Sequence, residues 1–243
     1  KSPPDGYTLL LNSITTHGIG PHLYQSLPYD SVKDFTPVIF VANLPLVMTI
    51  NTGHAMKSVA DVIAYAKANP GKLSYAVDVT AGAAPVCARL FNKRAGTGMV
   101  EVPYRSAAQM VQDVASGVVP VLIASMAATN TMVQAGKIRR LANSSTERFP
   151  PLPDLPTVAE SGYKDFETDV WFGLVAPAKT PKETVTQLID WVRSALLAPD
   201  VKAKLVAQAL YPNAICGADF DAHLQRQSEI YGRLIGEMNI KPQ

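Results

Sequence analysis

The stretch SVADVIAYAKANPGKLSYAV, residues 58–77, decides the fold. Ser58 reads as a helix N-cap, and Asp61 stands three residues on, at capping-box spacing. Val59, Val62, Ile63 and Ala66 fall at i, i+3, i+4 and i+7, one apolar helical face. Asn69-Pro70-Gly71 stops that helix, and Leu73 to Val77 reads as a strand. A short amphipathic helix running through a tight stop into a strand is the repeating unit of an α/β protein.

The same unit recurs downstream. Pro85 to Lys93 reads as helix and Met99 to Val102 as strand. Ala107 to Ser116 is helix, Val118 to Ile123 strand, Thr129 to Ala135 helix and Ile138 to Ala142 strand, with Gly136 as a helix stop. Strands alternating with helices of about ten residues predict βαβ units and a mainly parallel sheet. Thr157 and Glu160 form a second capping box after a proline-rich loop over 147–156. Asp169 to Val175 is a β-rich run. Beyond Pro181 the chain is mostly helical, with Thr184 to Leu197 and a long amphipathic helix marked by Phe220, Leu224, Tyr231, Leu234, Ile235 and Met238.

Upstream, Pro4-Asp5-Gly6-Tyr7-Thr8-Leu9-Leu10-Leu11 is a turn feeding an apolar run, with Tyr7 to Leu11 as strand formers. A buried strand of that kind needs neighbours on both sides. The expectation is either a fold that opens on a central strand or a domain whose natural start lies outside this chain. The middle block is expected to close on itself as one α/β lobe, 43–171. The ends, 1–42 and 172–243, form a second and strand-poor lobe with strands at Tyr7–Leu11, Phe35–Phe40 and near Asn213–Ile215.

Composition narrows the function. Of 243 residues, 47% are apolar and 17% charged, enough for a substantial core. The net charge is +2 with both signs interspersed, which argues against a nucleic-acid partner. No apolar run reaches the roughly 18 residues of a membrane span. No charged segment followed by an apolar one marks an export signal, and the chain starts at Lys1 rather than Met. Cys87 and Cys216 read as two buried free thiols rather than a disulfide.

Catalytic patterns are thin. His17, His22, His54 and His223 show no metal-binding spacing, and there is no Gly-x-Ser-x-Gly elbow, P-loop or dinucleotide fingerprint. His17 reads as a structural loop histidine. The cysteines lack the basic cluster that marks a nucleophile. No enzyme activity, cofactor or metal is expected.

Several phrases together resemble the tripartite tricarboxylate transporter substrate-binding family, the Bug-type periplasmic solute receptors. They are Pro4-Asp5-Gly6-Tyr7-Thr8-Leu9-Leu10, Pro21-His22-Leu23-Tyr24, Leu27-Pro28-Tyr29-Asp30 and Asp34-Phe35-Thr36-Pro37-Val38. Ala68 to Ala76, Val102-Pro103-Tyr104-Arg105, Leu152 to Gly162 and Trp171-Phe172-Gly173-Leu174-Val175-Ala176-Pro177 continue the series. The resemblance implies a two-lobed α/β fold of the periplasmic binding protein type II kind, with two crossing hinge strands, closing on a small organic anion. It implies a periplasmic location and transporter subunits or a sensor as partners. It also implies a strand, a Gly-rich loop, a helix and a second strand ahead of the Pro-Asp-Gly-Tyr phrase, which this chain lacks.

Ligands of open α/β lobes sit beyond the carboxyl ends of the strands, where helix N-termini present N–H groups to an anion. The expected ligand-binding residues are therefore Ser13, Ile14, Thr15 and Thr16 after the opening strand; Thr80, Ala81, Gly82 and Ala83 before the Pro85 helix; Tyr104 and Arg105; and Ala124 and Ser125. Trp171 and Phe172 at the crossover complete the set. Asp78 is expected to cap the helix that follows it. Against the family pattern, the loop from Val77 to Ala83 has one glycine in place of a Ser-Gly-x-Gly-Ser-Ser-type loop. Pro85 stands at a usual histidine, Ser106 at a usual glycine, and Ala124-Ser125 at a usual Asp-Asn pair. Small apolar groups replace polar ones, so the expected ligand is a carboxylate less polar than a tricarboxylate or an amino acid. The alternatives are a relative that no longer binds ligand and an effector-binding module of a regulator.

Overall fold

The computed structural model describes residues 2–78, 82–164 and 166–240. The chain divides into two compact units, Lys1–Leu44 with Val170–Gln243, and Pro45–Asp169. In chain order the main elements are β1 (Leu10–Ser13), α1 (Gly20–Leu23), β2 (Phe35–Leu44), β3 (Leu46–Asn51), α2 (Val59–Ala68), β4 (Ser74–Asp78), α3 (Ala83–Ala95), β5 (Val100–Tyr104) and α4 (Ala107–Ser116). There follow β6 (Val121–Ser125), α5 (Met126–Gln134), β7 (Ile138–Asn143), β8 (Val170–Pro177), α6 (Lys182–Leu197), α7 (Pro199–Ala207), β9 (Tyr211–Pro212) and α8 (Gly217–Glu237). Among the described residues no helix is long and apolar enough to cross a membrane.

The unit Pro45–Asp169 carries a five-stranded sheet in the order β5-β4-β6-β3-β7. Its helices start as the local sequence dictates. Ser58 Oγ accepts from the Asp61 N–H at 3.1 Å, and Asp61 Oδ2 accepts from the Ser58 N–H at 3.0 Å, closing the capping box of α2. Gly96 and Gly117, at φ +59° and +84°, end α3 and α4 in the left-handed region that favours glycine. The core beneath is aliphatic, with Ala76, Val114, Val119, Leu122 and Ile138 buried together. Each fully buried Val, Leu or Ile side chain contributes about 1.5–3 kcal/mol. At the outer edge the Arg89 guanidinium donates to both Glu101 oxygens (2.7 and 3.0 Å), and the Tyr75 hydroxyl donates to Glu101 Oε2 at 2.8 Å. This group ties α3, β4 and β5 together.

The unit of the chain ends carries a four-stranded sheet in the order β1-β8-β2-β9. Its core joins an aliphatic cluster of Val38, Ile39, Ala176, Leu188 and Leu196 to an aromatic one. Phe40, Trp171, Phe220 and His223 pack as a cluster with ring centroids 5.0–6.4 Å apart. Gly173 is needed here because a Cβ at that position would lie 2.3 Å from Phe220 Cζ.

Two sequence expectations are corrected. The sheets are mixed rather than mainly parallel. In the Pro45–Asp169 unit β4 runs parallel to β5 and to β6, as the βα repeats require, but β3 is antiparallel to both β6 and β7. In the other unit β8 is antiparallel to both β1 and β2, and β9 to β2. β3 and β8 are the strands that follow directly on the two passages of the chain between units. Neither is delivered by a crossover helix within its own sheet, so nothing imposes a parallel direction.

The opening strand is also later and more exposed than expected. It begins at Leu10, stands first in its sheet order, and leaves Tyr7 94% and Leu11 59% exposed. The cause is local: Asp5 Oδ1 accepts from the Tyr7 N–H at 3.0 Å, and Gly6 sits at φ +85°, so the turn persists through Tyr7. Cys87 is buried and Cys216 half-buried, both with free thiols, and the Arg193 guanidinium lies against the Cys216 sulfur.

Candidate functional site

In the sheet β5-β4-β6-β3-β7 the chain leaves β4 toward β5 and leaves β6 toward β7 on the other side. The connections diverge between β4 and β6, which makes their carboxyl ends the topological switch point where open α/β sheets take ligands. Asp78 ends β4 and Ser125 ends β6. The helices α3 and α5 start at this edge, and Arg105 follows β5 on the same edge.

The three helix N-termini there differ. Ser106 caps α4 by accepting from the Gln109 N–H, and Ser125 caps α5 by accepting from the Ala128 N–H at 3.3 Å. The thirteen-residue α3 has Gly82 as its N-cap, with no side-chain cap, and open space where a Cβ would stand. Its first N–H groups therefore keep the partial positive charge of a helix N-terminus available for an anion. Arg105 is exposed and makes no hydrogen bond or ion pair among the described residues. An edge with one open helix N-terminus and one uncommitted guanidinium can hold a carboxylate.

The other expected residues divide as follows. Gly82, Ala83, Arg105 and Ser125 share this edge. Thr80 and Ala81 lie outside the described residues. Asp78 is not the cap of α3, because Gly82 holds that position. Tyr104 is corrected. It is buried in the aliphatic core, its hydroxyl donates to Asp113 Oδ2 at 2.8 Å, and burial and that carboxylate push it up to about 12. Ala124 is likewise a core residue, 4% exposed. The Ser125 hydroxyl is engaged as a cap.

In the other unit, Ser13 and Phe172 are register partners on β1 and β8. Thr15 and Thr16 begin a π-helical turn, and Thr16 Oγ1 donates to the Ser13 carbonyl at 3.0 Å. The Tyr29 hydroxyl donates to the Thr16 carbonyl. Ile14 is fully buried, so its side chain belongs to the core. Trp171, 1% exposed, is a member of the aromatic cluster, whereas Phe172, on the opposite face of β8, is half-buried. His17 lies against Phe35 at 5.1 Å, and burial holds it down at about 4, a neutral and structural histidine. Burial and Arg226 hold His223 at about 4 as well. The described residues contain no cluster of three or more metal-ligating side chains.

Sequence reading missed the polar group around Asp169. Ser145 Oγ donates to Asp169 Oδ1 at 2.7 Å, with Ser144, Thr168 and Cys87 alongside. No motif marks these residues. The only signal was two adjacent serines directly after a strand.

The family described as "Tripartite tricarboxylate transporter family receptor" matches residues 1–240, and the chain belongs to it. Protein BugT of Bordetella pertussis is 34% identical over 213 residues, covering 87% of this chain and 65% of that protein. The UPF0065 protein in the tcbD-tcbE intergenic region of Pseudomonas sp. strain P51 is 35% identical over 202 residues, covering 83% and 60%. The chain thus spans about two thirds or less of the length of these two relatives. Among solved structures, R. palustris Rpa4515 with adipate superposes at a TM-score of 0.85 with 33% identity, covering all of this chain and 81% of that one. The periplasmic binding protein BugD superposes at 0.81 with 26% identity, covering 100% and 82%. The α/β fold is that of the periplasmic binding proteins of this family, whose members are substrate-binding receptors rather than enzymes.

Proposed function

We propose that this chain is the ligand-binding part of an extracytoplasmic receptor for a small, weakly polar organic carboxylate. It hands that ligand to membrane transporter subunits of the tripartite tricarboxylate type or to a sensor. The observation that carries the reading is the open N-terminus of α3 beside the switch point of β4 and β6, with Arg105 uncommitted at the same edge. The candidate ligand groups are Gly82, Ala83, Arg105 and Ser125 of the Pro45–Asp169 unit. Thr80 and Ala81, which directly precede Gly82 in sequence, stay candidates.

Low polarity follows from what the edge lacks. The Tyr104 O–H is given to Asp113, the Ser106 and Ser125 oxygens accept helix N–H groups and keep only their O–H donors for a ligand, and Ala124 presents no polar group. A ligand hydroxyl or amine left without a partner would cost about 1–3 kcal/mol. The adipate in the R. palustris relative, an aliphatic dicarboxylate, agrees with that chemistry.

A thermal-shift titration against C3–C8 mono- and dicarboxylates and aromatic acids tests the reading. A ligand at 100 times its Kd adds about 2.7 kcal/mol of stability. A selective rise with an aliphatic or aromatic carboxylate supports the proposal. A preference for an amino acid over its deaminated analogue overturns the low-polarity part.

A further inference from the structure

Polar side chains lace α3 to β5 at two levels. Asn92 Nδ2 donates to the Met99 carbonyl at 3.0 Å, and Asn92 Oδ1 accepts from the Met99 N–H at 2.8 Å. Two strand positions on, the Arg89 guanidinium holds both oxygens of Glu101, at 2.7 and 3.0 Å. Tyr75, the register partner of Glu101 on β4, donates its hydroxyl to the same carboxylate at 2.8 Å. Apolar burial has no preferred direction. A bidentate arginine–carboxylate pair adds geometric specificity to the packing of helix on sheet.

The same register runs on to the candidate site. Side chains alternate between the two faces of a strand. Val102 and Tyr104 pack with Met110, Val111 and Val114 of α4. Glu101 and Pro103 alternate with them, and Arg105 directly after β5 continues that alternation toward the face where Glu101 meets α3. On α3, Asn92, Arg89, Pro85 and the N-cap Gly82 recur at helical spacing along one face. From Arg89 back to Gly82 the helix covers about 10 Å, and from Glu101 on to Arg105 the strand direction covers about 13 Å. The open N-terminus of α3 and Arg105 therefore come nearly level at the carboxyl edge, on the same face of the sheet.

We propose that Glu101 is a positioning residue for the carboxylate site. By clamping Arg89 it holds α3 in register with β5, so that the first N–H groups of α3 and the Arg105 guanidinium meet one carboxylate together. Glu101 stands four residues from Arg105 and acts only through Arg89. The shared carboxylate rests on the receptor reading; the register does not.

Backbone amide resonances of the ligand-free protein test the register. The variants are Glu101→Gln and Arg89→Lys, the second of which keeps the charge but loses the fork. In both, the N–H signals of Ala83, Ala84 and Arg105 should move, while those of Ala127 and Ala128 in α5 stay. The reversed pair, Arg89→Glu with Glu101→Arg, should return the moved signals toward their wild-type positions. Changes confined to Tyr75, Arg89, Asn92, Met99 and Glu101 overturn the proposal. If Glu101→Gln does not fold, the same signals in Arg89→Lys decide alone. Calorimetry with adipate as the probe tests the shared carboxylate. Glu101→Gln should weaken adipate binding about fivefold, and Arg105→Gln, worth about tenfold on its own, should cost only about twofold in that background. Fully additive losses overturn the joint grip. If the wild type takes up no adipate, the receptor reading fails for that ligand, and the amide signals of Ala83, Ala84 and Arg105 uphold or overturn the register by themselves.

Discussion

The two units solve the same packing problem with different materials. The Pro45–Asp169 unit is assembled from capped βα repeats over a largely aliphatic core. The unit of the chain ends packs an antiparallel sheet against an aromatic cluster; both units bury polar atoms without a hydrogen-bond partner among the described residues, on Asn12, His17, Trp171 and His223 in this one and on Arg139, Asn143 and Thr168 in the other. Locally encoded structure tolerates single losses; a core built from distant segments concentrates its stability in a few large side chains.

The largest test of that contrast is Trp171→Ala. Trp171 is 1% exposed against Phe40, Phe220 and His223, and its removal should cost about 3–5 kcal/mol in denaturant unfolding. A loss below 1 kcal/mol would show that the aromatic cluster does not hold its unit together.

Acid comes next. His17 and His223 are held at about 4 against an ordinary 6.5, so their contribution is complete above pH 6.5 and is lost as pH falls toward 4. His17 alone corresponds to about 3 kcal/mol, and the partly exposed His223 adds less than that. Hydrogen exchange resolved by unit should show the chain-ends unit loosening between pH 6.5 and 4 while the other unit holds. Uniform loosening would erase the comparison.

Arg105→Gln probes the open edge. It should weaken carboxylate binding about tenfold, measured by calorimetry, with the melting temperature of the free protein unchanged. Equal affinity in the variant would remove Arg105 from the site.

Tyr104→Phe should do the reverse, costing about 1 kcal/mol of stability through the lost bond to Asp113 while leaving carboxylate affinity intact. A drop in affinity without a change in stability would return Tyr104 to the site.

Legibility follows the range of the interactions. Ser58 with Asp61 and Thr157 with Glu160 were readable as capping boxes because all their partners lie within three residues, and both boxes form. The helix Ala107–Ser116 was readable with the bounds that the structure shows. By contrast, Tyr104 read as a ligand residue from its loop position, and only the rotamer that carries its hydroxyl to Asp113 removes it. Ile14 stood among polar residues, yet it fills the space beside Gly18. The hydrogen bond from Ser145 to Asp169 joins segments that no periodicity connects.

The sequence by itself determined the α/β class, the capped helices of the βα repeats and the family, because capping, periodicity and turn chemistry act over a few residues. Only the tertiary structure decided the reversed direction of β3 and β8, the edge position of β1, and which hydroxyls remain available to a ligand. Those depend on where the chain goes after it leaves each unit and on contacts between residues far apart along it, and short-range energetics carries no record of either.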